Sequence, residues 1–238
     1  MSYKYFPCTI TDIISETELV KRFIINAPPE FPFDFKPGQF VMLDLPIESK
    51  VTNRSYSIAS PPYGNNTFEL AIILNPKGLG TPFMWENVNE GSMIHVSKPL
   101  GKFLLEQPIE EDICFIGTGT GIAPLRSMML HIIRNKILYK NIYLIFGNRW
   151  EKDILYHKEF KDLSVENKNL HYIPVLSRDN PEWTGRKGYV HQVYQEIFSD
   201  KRPATFYLCG WKEMLHDARI KIEEMGYDKK KIKFESYD

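Results

Sequence analysis

The chain has 238 residues, with 30 basic against 30 acidic side chains, a formal net charge of +0 and 43% hydrophobic residues. That length allows one large or two modest domains with a substantial core, and the charge balance provides no global field for nucleic acid. Its apolar runs fall short of the ~20 residues that cross a bilayer, and the opening "MSYKYFPCTITDII" lacks the layout of a secretion signal, so a cytoplasmic protein without a membrane span is expected.

In chain order, the first runs are rich in β-branched and aromatic residues: "CTITDII", "KRFIINA", "QFVMLDL", "SYSIAS", "FELAIIL" and "SMIHVS". The turn clusters "PPEFPFDFKPG", "PPYGNN" and "NPKGLG" separate them. Many short strands between Gly, Pro and Asn turns predict an antiparallel β-barrel or sandwich. Within it, "NRSYSI" carries three groups of chemical interest. Arg54 can pair with a phosphate, Tyr56 can stack on a flat ring and Ser57 can bond a ring edge. An exposed strand with no ligand is the other reading of the same stretch.

"EQPIEED" at 106–112 reads as the linker, which divides the chain into domains at 1–108 and 109–238. Beyond it the period changes. The strand-like runs "ICFIG", "IYLIFG", "HYIPVL", "TFYLCG" and "KIKFES" now alternate with helix-length segments. Leu125, Met128, Met129, Ile132 and Ile133 recur at helical spacing in the first of these segments. Strand alternating with helix predicts an α/β domain with a Rossmann-like parallel sheet.

The bend "GTGTGIAPLRS" at 117–127 joins the first of these strands to its helix. Gly117, Gly119 and Gly121 allow a sharp turn and close approach of a ligand, because none has a Cβ. Pro124 suits a helical first turn. The helix N-terminus then presents N–H groups and partial positive charge to a phosphate. A tight turn holding nothing is the alternative. The spacing is neither GxGxxG nor a P-loop. Cys8, Cys114 and Cys209 are odd in number and far apart, and the six histidines lack ligand spacing, so neither disulfide framework nor metal site is expected.

These motifs, barrel-like half first, resemble the ferredoxin-NADP reductase superfamily over essentially the whole chain. "RSYS" is similar to its flavin motif, "GTGTGIAPLRS" to its dinucleotide-pyrophosphate motif, and "YLCG" at 207–210 to its Cys-Gly motif. The resemblance implies that Gly78, Gly80 and Thr81 hold a flavin pyrophosphate, and that Arg54, Tyr56 and Ser57 hold the flavin. It implies further that Gly117, Thr118, Gly119, Thr120, Gly121 and Pro124 seat the nucleotide, with Cys209 and Gly210 beside the nicotinamide. "KPLGKF" looks like a Gly-Pro-x-Gly-x-Phe segment with Lys98 in place of the first glycine. The ending "FESYD" resembles family members whose last strand finishes Glu-x-Tyr, a likeness that implies Glu235 near a proton path and Tyr237 over the flavin, with Asp238 as an extra residue.

The implied activity is hydride transfer from NADPH to FAD, with Ser57, Cys209, Glu235 and Tyr237 as the catalytic set. Single electrons then pass to a separate carrier such as a ferredoxin, a flavodoxin or an oxygenase component. A 2′-phosphate needs cationic donors, and Arg149, Arg178, Arg186 and Lys187 supply them, with the hydroxyls of Ser177 and Tyr189 beside them, although Asp153 and Asp179 interrupt the patch. The alternatives are FMN in place of FAD, NADH in place of NADPH, and an oxygenase-reductase or free-flavin reductase role. A non-catalytic flavin sensor or electron-transfer subunit is a further one.

Overall fold

A computed structural model describes residues 4–47, 50–178 and 180–236. The chain divides into two units, Met1–Leu105 with Arg126–Arg134, and Glu106–Leu125 with Asn135–Asp238.

The first unit contains β1 (Tyr5–Ser15), β2 (Val20–Asn26), β3 (Phe40–Ile47), β4 (Lys50–Ser57), β5 (Thr67–Ile73), α1 (Gly80–Glu86) and β6 (Met93–Ser97). The strands form one antiparallel sheet in the order β4-β3-β6-β1-β2-β5. A bridge between Ile58 and Leu70 brings its two edges together, so the sheet curls into a barrel. Period-two patterning drives this. In β3, Val41, Leu43, Leu45 and Ile47 are buried while the intervening residues are less so. The core they enter is aromatic, with Phe33 stacked on Phe68 at 4.1 Å between ring centroids. "GTPFMWE", which directly follows the turn cluster "NPKGL", forms α1 and buries Gly80 and Met84.

A buried ionic cluster lies inside this first unit. Arg126 Nη1 donates to the Ala59 carbonyl at 2.8 Å and approaches Glu69 Oε1 at 3.5 Å. Arg22 reaches the other Glu69 oxygen at 3.7 Å, and Ser127 Oγ donates to the Ser60 carbonyl at 2.6 Å.

The second unit is built on β7 (Asp112–Thr118), β8 (Ile142–Asn148), β9 (Leu170–Leu176), β10 (Arg186–Lys187), β11 (Ala204–Gly210) and β12 (Ile232–Ser236). Helices α2 (Ile122–Arg134), α3 (His157–Glu166), α4 (Val190–Ile197) and α5 (Lys212–Glu224) fall between these strands. Every pairing is parallel, in the order β10-β9-β8-β7-β11-β12. β11 is buried along its whole length and β7 along all but its last residue, as expected of central parallel strands covered on both faces. From β7 the order runs outward one way through β8 and β9 and the other way through β11. The carboxyl ends of β7 and β11 therefore flank a topological switch point, where open α/β sheets bind ligands. At the opposite end of β7, Arg202 clamps Asp112 at 2.9 Å and the Tyr143 hydroxyl at 3.1 Å.

The parallel sheet and the curled antiparallel sheet are the two architectures expected from the hydrophobic periods. The two-residue strand β10 is too short for any period to announce.

Candidate functional site

At the switch point β7 ends in Thr118, and Gly119–Gly121 make a 3-10 turn into α2. The glycines are required by contact. A Cβ on Gly121 would stand 2.6 Å from Gly210 Cα and overlap the Cys209 carbonyl. Gly210, at φ +140, has no room either, since its Cβ would overlap Thr118 Oγ1. The bend therefore packs backbone against backbone on Cys209–Trp211, and Thr118 Oγ1 accepts from the Trp211 N–H at 3.1 Å. Gly119 sits in the left-handed region at φ +53, and a Cβ on Gly117 would press Leu125 Cδ1 at 3.1 Å. Thr120 lies inside the turn, and Pro124 in the first turn of α2. A diphosphate fits this cradle: it is side-chain-free at the bend and stands before a helix start.

Strand register extends the cradle sideways. Gly117 lies opposite Cys209, and Cys209 opposite Glu235. Cys209 is fully buried and Glu235 half-buried, so β11 and β12 bring these two predicted residues side by side. Tyr237 and Asp238 lie outside the described residues, as does Asp179.

A second cluster forms where the loops after β8 and β9 meet. The Ser177 N–H donates to the Asn148 carbonyl at 2.9 Å, and the Arg178 N–H to the Arg149 carbonyl at 3.2 Å. Ser177 Oγ also donates to the Asn148 carbonyl, at 3.3 Å. Arg149 and Arg178, both exposed, thus emerge from adjacent backbone. Arg186 differs, because its guanidinium is held by both oxygens of Glu196, at 2.8 and 2.6 Å. Asp153 is at the end of a 3-10 turn after β8. Lys187 closes β10, and Tyr189 is exposed, its N–H capped by Gln192 Oε1 at 3.0 Å.

In the first unit, alternation along β4 sets Arg54 and Tyr56 on one face and Ser57 on the other. Arg54 is exposed and lies against the start of α1: a Cβ on Gly80 would come within 3.1 Å of its Cγ and 3.3 Å of its Nε. A flavin phosphate group fits here, because the strand cation and the side-chain-free helix start are adjacent. Burial pushes the Tyr56 phenol up to about 12, with Arg54 pulling the other way, so the ring is neutral at physiological pH. Ser57 is buried. Gly78 donates its N–H to the Asn75 carbonyl at 2.9 Å. Thr81 Oγ1 accepts from the Asn75 N–H at 2.8 Å and donates to the Asn75 carbonyl at 3.2 Å. That hydroxyl closes the 75–81 loop. Lys98, ahead of Gly101 at φ +107, is exposed.

The residue missed in sequence is Trp211. Its indole is 62% exposed, and its Nε1 is 3.9 Å from where a Gly119 Cβ would stand. The available signal was a large aromatic directly after "CG" at the end of a buried strand. Among the described residues there is no group of His, Cys, Asp and Glu that could hold a metal, and no helix long and apolar enough to cross a membrane.

Comparison with known proteins bears on both units. Residues 7–104 match the oxidoreductase FAD-binding domain and residues 115–219 the oxidoreductase NAD-binding domain. The chain is 33% identical over 214 residues to ferredoxin-NADP reductase B of Sorangium cellulosum, covering 87% of this chain and 86% of that protein. It is 29% identical over 230 residues to the glycine betaine monooxygenase reductase subunit of Pseudomonas aeruginosa, covering 94% of this chain but 62% of the relative. Among solved structures, a ferredoxin NADP+ reductase from Neisseria gonorrhoeae with bound FAD and NADP superposes with a TM-score of 0.85 at 22% identity, covering 99% of each chain.

Proposed function

Because the chain belongs to the ferredoxin-NADP reductase superfamily and is an oxidoreductase that takes FAD and NAD(P)H, we propose that it draws hydride from NADPH and passes electrons singly to a separate protein carrier. The domains of this reading are 1–108 for flavin and 109–238 for nucleotide. Bound FAD supplies the conversion of a two-electron donor into one-electron steps.

The chain's own residues bind, orient and exclude. Arg54 pairs with the flavin phosphates, backed by Gly78, Gly80 and the Thr81 backbone. Tyr56, neutral and half-buried, stacks on the flavin ring, and Ser57 bonds its edge. The Gly117–Gly121 bend, with Thr118, Thr120 and Pro124, seats the nucleotide pyrophosphate. Cys209, buried and tightly packed, acts as a positioner beside the nicotinamide together with Gly210, which leaves the rate gain to proximity and alignment. Glu235, one strand over from Cys209, handles the proton.

One observation carries the choice of NADPH. Ser177 and Arg178 are locked by backbone hydrogen bonds to Asn148 and Arg149, so two exposed guanidiniums leave one site. A 2′-phosphate suits that pair through charge-assisted bonds. Arg186 is engaged by Glu196 and plays a lesser part than Arg178, with Lys187 and Tyr189 at the rim.

The acceptor is a ferredoxin, a flavodoxin or an oxygenase component. The glycine betaine monooxygenase reductase subunit and the anthranilate 1,2-dioxygenase electron transfer component are similar to this chain, which supports the last. Three buried cysteines outside any disulfide suit a reducing cytoplasm.

The test is anaerobic mixing of the purified flavoprotein with NADPH and with NADH, following loss of flavin absorbance. NADPH should bleach it faster, and Arg178→Ala should raise KM for NADPH by about tenfold or more while leaving NADH nearly unchanged. Equal effects on both donors would remove the 2′-phosphate assignment.

A further inference from the structure

The side chain of Trp211 has a role in neither the core nor the family motif. It sits at the switch point immediately after Cys209 and Gly210, with its backbone N–H tied to Thr118. Its indole is largely exposed. The ring's position is specific. Nε1 stands 3.9 Å from the Gly119 Cβ position, over the middle glycine of the bend. The Arg149 guanidinium carbon lies 5.9 Å from the ring centroid, so a cation stands beside the indole. Among the described residues the indole Nε1–H has no hydrogen-bond acceptor.

We infer that Trp211 binds the nucleotide pyrophosphate, donating its Nε1–H to a phosphate oxygen seated on the Gly119 turn while Arg149, against the indole, holds the ring there. This rests on the bend being the pyrophosphate seat, as proposed above. Indole is a donor only, so it matches an anion and offers nothing to a base edge that also needs an acceptor. Gly119 has no Cβ to hold the oxygen away from Nε1, and the neighbouring guanidinium adds charge at the same point. The indole also lies over one edge of the cradle, where it excludes water from the phosphate contacts and so strengthens them.

Calorimetric titration of the oxidised, flavin-loaded protein with NADP+ and with ADP-ribose tests this, since both carry the pyrophosphate and neither reduces the flavin. Trp211→Phe keeps the ring and removes the donor. It should raise Kd for both ligands about tenfold, the expected order for one hydrogen bond to a charged group, with flavin content and melting temperature unchanged. Trp211→Leu should weaken both at least as much. Phe binding like the wild type while Leu is weakened would make the contact a stacking one and overturn the hydrogen-bond assignment. A loss confined to NADP+ would place the indole at the nicotinamide or the 2′-phosphate, the two groups ADP-ribose lacks, with the same result. Wild-type protein that binds neither ligand would overturn the pyrophosphate seat itself, a failure distinguishable from that of Trp211.

Discussion

Arg54, Arg178 and Arg186 are three arginines with three different environments, and their surroundings decide what each can hold. Arg54 donates to the neighbouring Asn53 carbonyl through Nη1, at 2.9 Å, and lies against the start of α1. Its guanidinium therefore retains donors for a phosphate. Replacing Arg54 with Ala should loosen FAD by about 1.5–3 kcal/mol, the range for a charge-assisted hydrogen bond. The check is flavin occupancy after gel filtration together with the FAD dissociation constant, and occupancy equal to the wild type would count against the assignment. Arg186, bound at both ends of its fork by Glu196, has less to offer an anion. In sequence the three are equivalent cations; the neighbour each one acquires is what separates them.

Among elements, α2 carries the most. Its first turn follows the glycine bend, while Arg126 and Ser127 on its next residues bond to the Ala59 and Ser60 carbonyls of the first unit. Arg126 is 4% exposed and faces Glu69, which is 6% exposed. Removing one partner of a buried pair leaves the other charge uncompensated. Arg126→Ala should therefore cost about 3 kcal/mol in urea denaturation, moderated by Arg22, which keeps a 3.7 Å contact with Glu69. Pairing it with Glu69→Gln should recover part of that loss. A single variant as stable as the wild type would show that solvent already reaches the carboxylate. The helical spacing of Leu125, Met128, Met129, Ile132 and Ile133 made the helix legible. The buried polar pair was not, because a basic residue between apolar ones reads as a solvated position.

For the molecule as a whole, acid sensitivity follows from three histidines, His131, His157 and His191. Burial lowers the pKa of each; at His157 Lys161 adds to the effect and Glu151 opposes it, and at His191 Asp217 opposes it while Lys221 adds to it. His157 shows the cause in its contacts: Nδ1 meets the Tyr172 hydroxyl at 2.9 Å, and Nε2 is buried without a partner. Because the folded values lie below the unfolded value of about 6.5, the unfolded chain binds more protons in that window. Stability is thus fully present above about pH 6.5 and declines as pH falls through the folded values. Melting temperature should drop between pH 7 and pH 5, and the double variant His157→Gln, His191→Gln should flatten the drop. A slope unchanged in that variant would assign the acid sensitivity to carboxylates.

Both fold classes, the order of the two halves, the glycine bend and the strand bearing Arg54 were determined by sequence alone. Each rests on a local cause: hydrophobic period sets strand or helix, and a missing Cβ permits a sharp turn whatever lies around it. Gly121 could be read as permitting the turn before its contact with Gly210 was known. Tertiary structure alone decided that Arg178 and Arg149 are neighbours while Arg186 belongs to Glu196. It also decided that the Thr81 hydroxyl closes its own loop and that the Trp211 indole stands over Gly119. These pairings join residues with no fixed spacing along the chain. They follow from which strand ends the sheet order sets side by side, and nothing local to either partner encodes that order.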